Sequence, residues 1–282
     1  MPELPEVHTI SSDLNNNIKG YQIINIGIAE NYSVYPNNAV FKSEAIGKYI
    51  DEIERVAKNI IVKLDSDTFI GIHLAMTGRI LLRDEEHTND RWTKIIFKLK
   101  KNSEIKYLRF TDMRMFGKAA LYTQEEIQKL KSRYGPDVLD TTLTPDKLYE
   151  ILKSKRTSVK NILLDQEYIS GLGNIYATDT LFLSKLHPET PTSLLTLQDA
   201  ENILESAREI VNESIVDRGS TLPDRMYVDI FGNEGSHQEH FKIYLRNFCP
   251  KCGSKVEYIK VAGRGTYFCP DCQKDTSKGL FE

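Results

Sequence analysis

Apolar residues recur at helical spacing at the start of the chain. Between residues 3 and 18 every third or fourth position is apolar, and Lys19-Gly20 follows the last of them. The apolar positions are Leu4, Val7, Ile10, Leu14 and Ile18. This pattern predicts one amphipathic helix over residues 3–18 that packs against the body of the protein.

The pattern changes to short runs with strand character from Tyr21 to about Tyr122. These runs are rich in β-branched and aromatic residues and are bounded by turn residues, which is typical of strands. The predicted strands include Gln22–Ile28, Ile60–Leu64, Phe69–Leu74, Lys94–Leu99 and Ile105–Phe110. Many short strands in succession indicate a β-sandwich or a barrel.

Helical periodicity returns in the second half of the chain. Gly135-Pro136 follows a charged helical segment and marks a predicted domain boundary. Thr144-Pro145 supplies an N-cap and a first-turn proline for the next helix. Further helices are predicted over 158–164, from a glycine-rich turn at 169–176 to about 185, and over 197–217. The segment 220–240 lacks periodicity, and a loop this long is usually functional or mobile.

The four cysteines form two Cys-x-x-Cys pairs near the end of the chain. Sixteen residues separate the pair Cys249 and Cys252 from the pair Cys269 and Cys272. This spacing fits a tetrahedral four-thiolate zinc ribbon, whose closed site leaves no open position for catalysis. We therefore predict one structural zinc ion. Between the pairs, Gly263-Arg264-Gly265 predicts a hairpin whose tip presents the arginine.

Composition and charge indicate the cellular compartment of the protein and the kind of partner that it binds. The 282 residues suffice for two domains, and the net charge of −3 gives no hint of nucleic acid. Locally, however, residues 246–278 carry seven basic and three acidic side chains, a net charge of +4 that favours a nucleic-acid face. No apolar run spans a bilayer, and the first residues do not form a signal peptide. With every cysteine in the predicted metal site, we expect a reducing cytoplasm.

Pro2 is a candidate nucleophile. A small second residue permits removal of Met1, which would leave Pro2 as a free secondary amine. Such an amine attacks a sugar aldehyde carbon to form an iminium, as lysines do, and an α-amino group titrates near 8 rather than near 10.4. Glu3 follows and can serve as general acid or base. The alternative is that Pro2 and Pro5 only shape a helix N-terminus, where acids are also favoured.

Other candidate binding residues stand beside turns. Lys58 precedes an apolar strand, where its amine can face a cleft or simply be solvated. Met76, Arg114 and Phe116 are candidate wedges that enter a base stack, with burial in the core as the alternative. The glycine-rich turn at 169–176 offers backbone N–H groups to a phosphate. Lys155, Arg156 and Lys160 would complete that site, unless they form a solvated helix face.

Three motifs together resemble the formamidopyrimidine-DNA glycosylase family, the bifunctional base-excision enzymes that include endonuclease VIII. They are the N-terminal PELPEV, the segment ISGLGNIYATDTLF and the ribbon end VAGRGTYFCPDC. Leu4 points to the formamidopyrimidine and 8-oxoguanine branch, because the endonuclease VIII branch usually has glycine there. The resemblance implies a multidomain α+β fold: a β-sandwich with an N-terminal helix over 1–133, a helix–two-turn–helix domain over 134–240 and a zinc-ribbon finger over 241–282.

The resemblance also implies an activity and its residues. The chain would be a DNA glycosylase and AP lyase of base excision repair that removes oxidised purines and cleaves the strand by β,δ-elimination. Pro2 would attack C1′, Glu3 would act as acid and base, and Glu6 would support them. Lys58 would donate a proton and contact phosphate, and Arg264 would assist the second elimination. The other implied DNA contacts are Met76, Arg114 and Phe116 in the gap left by the flipped nucleotide, and Arg156, Lys160 and Asn174 on phosphates.

The chain departs from the family in three places. Met115 stands where a basic residue is common, and Asn89-Asp-Arg-Trp-Thr93 replaces a histidine-rich stretch. The predicted lesion-capping loop at 220–236 is also divergent. These departures leave the lesion preference open more than the chemistry.

Three alternatives follow from these departures and motifs. One is a preference for oxidised pyrimidines, as in endonuclease VIII, and another is a non-catalytic protein that binds lesion DNA. A generic zinc-ribbon nucleic-acid module would leave the N-terminal half unexplained. We expect a monomer that acts on double-stranded DNA containing a damaged base, in the cytoplasm and on the nucleoid in a bacterium, with no membrane partner.

Overall fold

The computed structural model of the chain describes residues 2–275. These residues form two compact units. The first unit consists of residues up to Ser132 together with Ile215–Gln238, and the second consists of Arg133–Ser214 and the residues from Glu239 onward. The segment Ile215–Gln238, which we predicted as part of the helical domain, is thus built into the N-terminal unit.

The first unit is a β-sandwich with three helices. Helix α1 spans Leu4–Ile18, α2 spans Asn38–Ala45 and α3 spans Gln124–Lys131. The strands are β1 (Gln22–Ile28), β2 (Ile50–Val56), β3 (Asn59–Leu64), β4 (Thr68–His73), β5 (Gly78–Arg83), β6 (Thr93–Lys101), β7 (Glu104–Asp112) and β8 (Lys118–Thr123). They form two four-stranded antiparallel sheets, ordered β1-β6-β7-β5 and β2-β3-β4-β8.

One apolar core joins both sheets to α1. The buried face of α1 presents Val7, Ile10, Leu14 and Ile18, the positions that the sequence pattern predicts. Inward-facing residues of both sheets complete the core, as the alternation of side chains along a strand requires. Tyr227 and Ile230 from the late segment also belong to this core, which fixes that segment to the N-terminal unit.

The second unit is helical and ends in a two-stranded ribbon. Its elements are α4 (Pro145–Lys153), α5 (Val159–Leu164), α6 (Asn174–Leu183), α7 (Leu197–Val216, whose last two residues belong to the first unit), β9 (Glu257–Val261) and β10 (Arg264–Phe268). The predicted N-cap is present, since the Thr144 hydroxyl accepts from the Lys147 N–H at 3.3 Å. In residues 2–275, no helix combines the length and apolarity that crossing a membrane requires.

Candidate active site and nucleic-acid interface

Pro2 and Glu3 lie at the start of α1. Pro2 is buried, and Glu3 is the N-cap residue with extended backbone. Glu3 and Glu6 form a reciprocal capping box, in which the Glu3 N–H donates to Glu6 Oε2 at 2.8 Å. Because α1 is packed along its whole length into the core, this box gives Pro2 and the Glu3 backbone a fixed position.

Glu6 links this helix start to the late segment of the unit. Its side chain is only 2 % exposed, and its Oε1 accepts from the Ser220 N–H at 2.8 Å. The same carboxylate thus holds two backbone N–H groups that are 217 positions apart in sequence, at Glu3 and at Ser220. The pKa of Tyr227 lies well above its ordinary value, first because the phenol is buried and then because the charge of Glu6 is close.

The late segment is held by charged side chains of the sandwich. Arg218 pairs with Asp229 at 2.8 Å and also with Asp13 on α1, and these carboxylates raise the pKa of the guanidinium. Arg79 on β5 donates to the backbone carbonyl groups of residues 225 and 226. The predicted lesion-capping loop is therefore anchored on the same unit as Glu6, through contacts that no local sequence pattern reveals.

Lys58 occupies the hairpin turn between β2 and β3. The turn is formed by Ala57 and Lys58, and the lysine side chain is half-buried. Across the sheet, His73 pairs with Asn59 and with Lys118 in the strand register. Burial lowers the pKa of His73, and the positive charges of Lys58 and Lys118 lower it further. The imidazole is thus favoured in its neutral form, and its Nδ1 accepts from the Ala75 N–H at 3.2 Å.

The predicted wedge residues form one exposed cluster. Met76 is 44 % exposed and Phe116 is 55 % exposed, so neither belongs to the core. Arg114 lies between them: its Nη1 is 3.4 Å from Met76 Sδ, and its guanidinium is 4.8 Å from the Phe116 ring centroid. The guanidinium of Arg114 therefore lies over the Phe116 ring while it donates to the Met76 thioether, so the three side chains form one exposed group.

Asp112 organises this cluster and was missed by the sequence analysis. It ends β7 and is 1 % exposed. Its carboxylate accepts the N–H groups of Arg114 at 3.2 Å and Gly117 at 2.7 Å, as well as the Thr77 hydroxyl. A carboxylate that gathers three donors fixes both loops that carry the wedge. Its sequence context, Thr-Asp-Met-Arg, gave no signal of this role.

The turn between α5 and α6 carries Asn174 at the first position of α6. The turn is braced by Gln166, which accepts from the Gly171 N–H and donates to the Leu172 carbonyl. Asn174 donates from Nδ2 to the Gly265 carbonyl of the ribbon at 3.0 Å. Arg156 is exposed in the segment before α5. The turn and the ribbon are therefore joined directly at the residue predicted to contact phosphate.

Lys160 lies in a different environment from the one that the sequence indicated. We expected a basic surface residue, but the side chain is 0 % exposed. Its Nζ donates to Thr178 Oγ1 at 2.9 Å on α6 and to Thr266 Oγ1 at 2.6 Å on β10. The amine is thus committed to linking α5, α6 and the ribbon, because two hydroxyls and the packed interior surround it.

The ribbon presents Arg264 as predicted. Ala262 and Gly263 form a two-residue turn with positive φ at both positions, which is the geometry of a tight hairpin. Arg264 follows the turn as the first residue of β10 and is exposed. Buried Asp179 accepts three successive backbone N–H groups of residues 242–244 at 2.8–2.9 Å, which fixes the chain that leads into the ribbon.

The side chains of the four cysteines lie close together, as the spacing predicts. Their sulfur atoms all lie within 4.8 Å of one another, with 3.8 Å between Cys249 and Cys272 and 3.4 Å between Cys252 and Cys269. A tetrahedral zinc ion with Zn–S bonds of about 2.3 Å requires sulfurs about 3.8 Å apart. The N–H groups of Lys251 and Cys272 each approach a sulfur at 3.4 Å. The donor set therefore fits one zinc ion.

Family models match most of the chain. The formamidopyrimidine-DNA glycosylase N-terminal domain matches residues 1–119, and the H2TH domain of the same enzymes matches residues 134–225. A zinc finger found in FPG and IleRS matches residues 247–274. The three matches follow one another in the order of the sandwich, the helical part and the ribbon.

Individual proteins match over nearly the whole chain. A formamidopyrimidine-DNA glycosylase of Chloroflexus aurantiacus is 36% identical, over 97% of this chain and 98% of that protein. Solved structures of Lactococcus lactis Fpg cover 97% of this chain and 100% of theirs, at 30% identity. One holds abasic-site DNA and has a TM-score of 0.88, and another holds DNA with an oxidised pyrimidine and has a TM-score of 0.87. The chain therefore belongs to the formamidopyrimidine-DNA glycosylase family.

Proposed function

We propose that this DNA glycosylase removes ring-opened and oxidised purines, namely formamidopyrimidines and 8-oxoguanine, from duplex DNA and then cleaves the strand. The observation that carries the proposal is the position of Pro2, buried at the start of α1 beside the Glu3–Glu6 capping box. A binding protein does not need an amine in such a fixed place. The name of the matched Chloroflexus protein supports ring-opened purines as the substrate class.

In the first step, the Pro2 amine is the nucleophile. Once Met1 is removed, the nitrogen lone pair attacks C1′ of the damaged nucleotide and the bond from C1′ to the base breaks. The base leaves with a proton. The C1′–O4′ bond then opens to an iminium while Glu3 gives a proton to O4′, which is the role that its place beside Pro2 supports.

In the following steps, the iminium promotes strand cleavage. It acidifies the C2′ proton, so removal of that proton expels the 3′ phosphate, and a second elimination expels the 5′ phosphate. Lys58, half-buried near His73, would supply a proton and a phosphate contact. Exposed Arg264 at the ribbon tip would stabilise phosphate during the second elimination. Water finally releases the sugar fragment from the amine, leaving a one-nucleotide gap.

DNA binding must first expose the glycosidic bond. Extruding a nucleotide from a duplex costs about a few kcal/mol, which a wedge in the vacated stack offsets. The exposed cluster of Met76, Arg114 and Phe116 is suited to this role, because it pairs one guanidinium with two apolar groups. Arg156 would hold a phosphate, since its side chain is exposed. The turn that begins α6 would also hold a phosphate, because it carries backbone N–H donors.

Zinc would be held by Cys249, Cys252, Cys269 and Cys272, and its contribution is to fold the ribbon rather than to react. Lys160 is buried, and its amine donates to two threonine hydroxyls. We propose that it fixes the ribbon, because its partner Thr266 also donates to the Arg264 carbonyl at 3.1 Å.

Oxidised pyrimidines are the second candidate substrate class. A solved Lactococcus lactis Fpg structure holds DNA with an oxidised pyrimidine, so the fold accommodates such DNA in that protein. The late segment that we expect to cap the lesion is anchored here through Arg79 and Arg218. Matched duplexes that differ only in the lesion separate the two substrate classes.

Borohydride trapping tests the nucleophile and the substrate together. The protein is incubated with a duplex carrying 8-oxoguanine opposite cytosine, and borohydride reduces any iminium to a stable adduct. We expect an adduct that mass spectrometry maps to Pro2. Matched duplexes carry a formamidopyrimidine, an oxidised pyrimidine or an abasic site, and a form that retains Met1 is the control without a free amine.

The outcomes separate the alternatives. Trapping only on the oxidised pyrimidine would replace the first substrate class by the second. Trapping on the abasic site alone would keep the lyase and remove the proposed excision. If no duplex is trapped but binding remains tight, the protein is a non-catalytic lesion-binding protein and the proposed activity is wrong.

A further inference from the structure

Tyr32 is a buried tyrosine that reaches the loop between β7 and β8, which carries Arg114 and Phe116 of the wedge. Its side chain is 6 % exposed, and its hydroxyl donates to the Gly117 carbonyl at 2.9 Å. Its ring packs edge-on against Phe110 of β7, with 5.9 Å between the ring centroids. The hydroxyl thus joins two residues that are 85 positions apart in sequence.

The backbone around Tyr32 is fixed by Asn38, the first residue of α2. The Asn38 side chain donates from Nδ2 to the Tyr32 carbonyl at 3.1 Å and accepts the Val34 N–H with Oδ1 at 3.1 Å. The segment then pairs with β8, where the Tyr35 carbonyl accepts the Leu121 N–H at 2.9 Å. Because α2 and β8 both hold this segment, they also set the position of the Tyr32 hydroxyl.

Gly117 is the residue at which the loop between β7 and β8 returns to the sandwich. It directly follows Phe116 and directly precedes β8. Its N–H donates to Asp112 Oδ2 at 2.7 Å, and its carbonyl accepts from Tyr32. A Cβ at this position would lie 2.6 Å from Phe110 Cζ, so the backbone packs directly on that ring. Both polar groups of the Gly117 backbone are therefore held by buried side chains.

The loop between these anchors has a backbone conformation that needs support. Met115 has a φ of +57°, which is uncommon for any residue except glycine. Such a conformation persists only where the surrounding structure imposes it. Phe116 comes next and its ring is exposed, so the direction of the ring depends on the backbone that carries it. Asp112 holds the start of this loop, and Tyr32 holds its end together with Asp112.

The Tyr32 phenol remains a hydrogen-bond donor at neutral pH. Its pKa is raised to about 12, first because the ring is buried and then because the negative charge of Asp112 is close. The proton therefore stays on the phenol oxygen, and the Gly117 carbonyl accepts it in a hydrogen bond that is shielded from water. Such a bond is electrostatically stronger than the same bond in solvent.

We propose that Tyr32 is a positioning residue for the wedge, because its bond to the Gly117 carbonyl keeps the Phe116 ring aligned for entry into the base stack. The inference rests on the proposed function, since a wedge is needed only where a nucleotide leaves a duplex. Tyr32 is buried, so it acts through Phe116 rather than by contact with DNA. Loss of the hydroxyl should release the end of the loop while the core around the ring is kept.

Removal of the hydroxyl alone tests this role. Tyr32→Phe keeps the ring that packs on Phe110, and circular dichroism establishes that the variant is folded. Single-turnover cleavage is measured at an abasic site in a duplex and in a single strand of the same sequence, which has no partner strand for a wedge to separate. We expect the ratio of the duplex rate to the single-strand rate to fall about fivefold. Tyr49→Phe, which removes an exposed hydroxyl from the same unit, should keep the wild-type ratio.

A fluorescent base reports wedge entry without catalysis. 2-Aminopurine is quenched by stacking on its neighbours, so it brightens when a side chain enters its stack. It is placed opposite a tetrahydrofuran abasic analogue, and its emission is read with the duplex fully bound. Tyr32→Phe and Phe116→Ala should each reduce the increase seen with the wild type. The double variant should lose no more than Phe116→Ala alone, because Tyr32 acts through that ring.

The outcomes separate this inference from the proposed function. A wild-type rate ratio in Tyr32→Phe, together with wild-type 2-aminopurine emission, would overturn the positioning role and leave the glycosylase intact. A further loss of emission in the double variant would also overturn it, because Tyr32 would then act independently of Phe116. If the wild type neither binds nor cleaves the abasic duplex, the proposed function and this inference both fail.

Discussion

The carboxylate of Glu6 accepts the backbone N–H of Ser220 at 2.8 Å. Its other oxygen accepts the N–H of Glu3 at the same distance. One buried side chain therefore ties the residue next to the proposed nucleophile to the segment that we expect to cap the lesion. Displacing Glu6 should disturb both ends of the site together.

Replacing Glu6 by glutamine tests this coupling. The amide keeps one acceptor oxygen and presents an NH₂ group to the other backbone N–H, which is left without an acceptor. An unsatisfied buried donor costs about 1–3 kcal/mol, so we expect Glu6→Gln to lower the free energy of unfolding by that amount and to slow single-turnover base excision. Urea denaturation and quenched-flow excision assays measure the two effects.

Glu44→Gln is the matched control, because Glu44 is exposed on α2. It should leave stability and excision unchanged. If Glu6→Gln behaves like Glu44→Gln in both assays, Glu6 does not couple the two segments.

Gly219 gives a second, steric test of the same contact. A Cβ at this position would lie 2.9 Å from Glu6 Cγ and 3.0 Å from the Tyr227 ring, and the φ of Gly219 is +83°. Gly219→Ala should therefore destabilise the protein for two reasons, backbone strain and displacement of Glu6. We expect a loss of about 2 kcal/mol or more in the free energy of unfolding and slower excision.

Gly47→Ala separates the two causes. Gly47 has a similar φ of +91°, but a Cβ there meets no atom within 4 Å. Gly47→Ala should therefore cause the same backbone strain of about 1 kcal/mol without a steric clash with any neighbouring side chain. Equal losses in Gly219→Ala and Gly47→Ala would show that contact with Glu6 contributes nothing.

The features that the sequence predicted correctly are those encoded by patterns within a short stretch of the chain. The apolar spacing of α1, the Thr144 cap and the two cysteine pairs each lie within a short stretch, and each forms as expected. The bond between Glu6 and Ser220 joins residues 214 positions apart, and no short pattern encodes it. The same holds for Asp112, whose partner Thr77 is 35 positions away.

His73 makes the stability of the sandwich depend on pH. Its pKa in the folded protein is lowered by burial and then by Lys58 and Lys118, while the unfolded value is about 6.5. At higher pH both states are neutral. As the pH falls below about 6.5, the unfolded state binds the proton first, so the folded state loses stability until the lower folded pKa is reached. Protonation would also break the Ala75 N–H bond to Nδ1.

His73→Asn should flatten this dependence, because asparagine offers an acceptor oxygen and does not titrate. Below pH 6.5, we expect the free energy of unfolding to fall more steeply with decreasing pH in the wild type than in the variant. The difference in slope should be up to about 1.4 kcal/mol per pH unit. Urea denaturation at a series of pH values measures it. The same exchange at exposed His87 is the control, and identical slopes in all three proteins would contradict the assignment.

The cysteine cluster predicts a defined metal stoichiometry. With sulfurs 3.4–3.8 Å apart in pairs, the wild type should hold one zinc ion per chain by mass spectrometry. Cys252→Ser leaves three thiolates and should lose most of the zinc and of the DNA affinity, because the ribbon folds around the ion. Ser254→Ala, beside the same knuckle, should retain the metal. One zinc ion per chain in Cys252→Ser would refute the four-thiolate site.

Lys160 shows how tertiary packing gives a residue an environment that the sequence did not indicate. A lysine beside exposed basic residues on a short helix is ordinarily solvated, and only the tertiary packing of α6 and β10 encloses this one. The two threonine hydroxyls that receive its amine lie 18 and 106 positions away. One of these partners, Thr266, also donates to the Arg264 carbonyl, so Lys160 is connected to the arginine at the ribbon tip.

The link from Lys160 through Thr266 to the Arg264 carbonyl predicts a coupled effect. Lys160→Met keeps the length of the side chain and removes the amine, so the ribbon tip should lose its fixed position while zinc is retained. We expect strand cleavage to fall about tenfold, which corresponds to about 1.4 kcal/mol. Arg264→Ala alone should lower cleavage at least as much, because it removes the group that the link positions.

The double variant decides whether Lys160 acts through Arg264. If it does, adding Lys160→Met to Arg264→Ala should cost little further cleavage, since the positioned side chain is already absent. Independent action would give multiplied losses. Lys147→Met, an exposed lysine on α4, is the control for the exchange itself and should leave cleavage unchanged. Multiplied losses, or loss of zinc in Lys160→Met, would assign the lysine to the stability of the ribbon rather than to the position of its arginine.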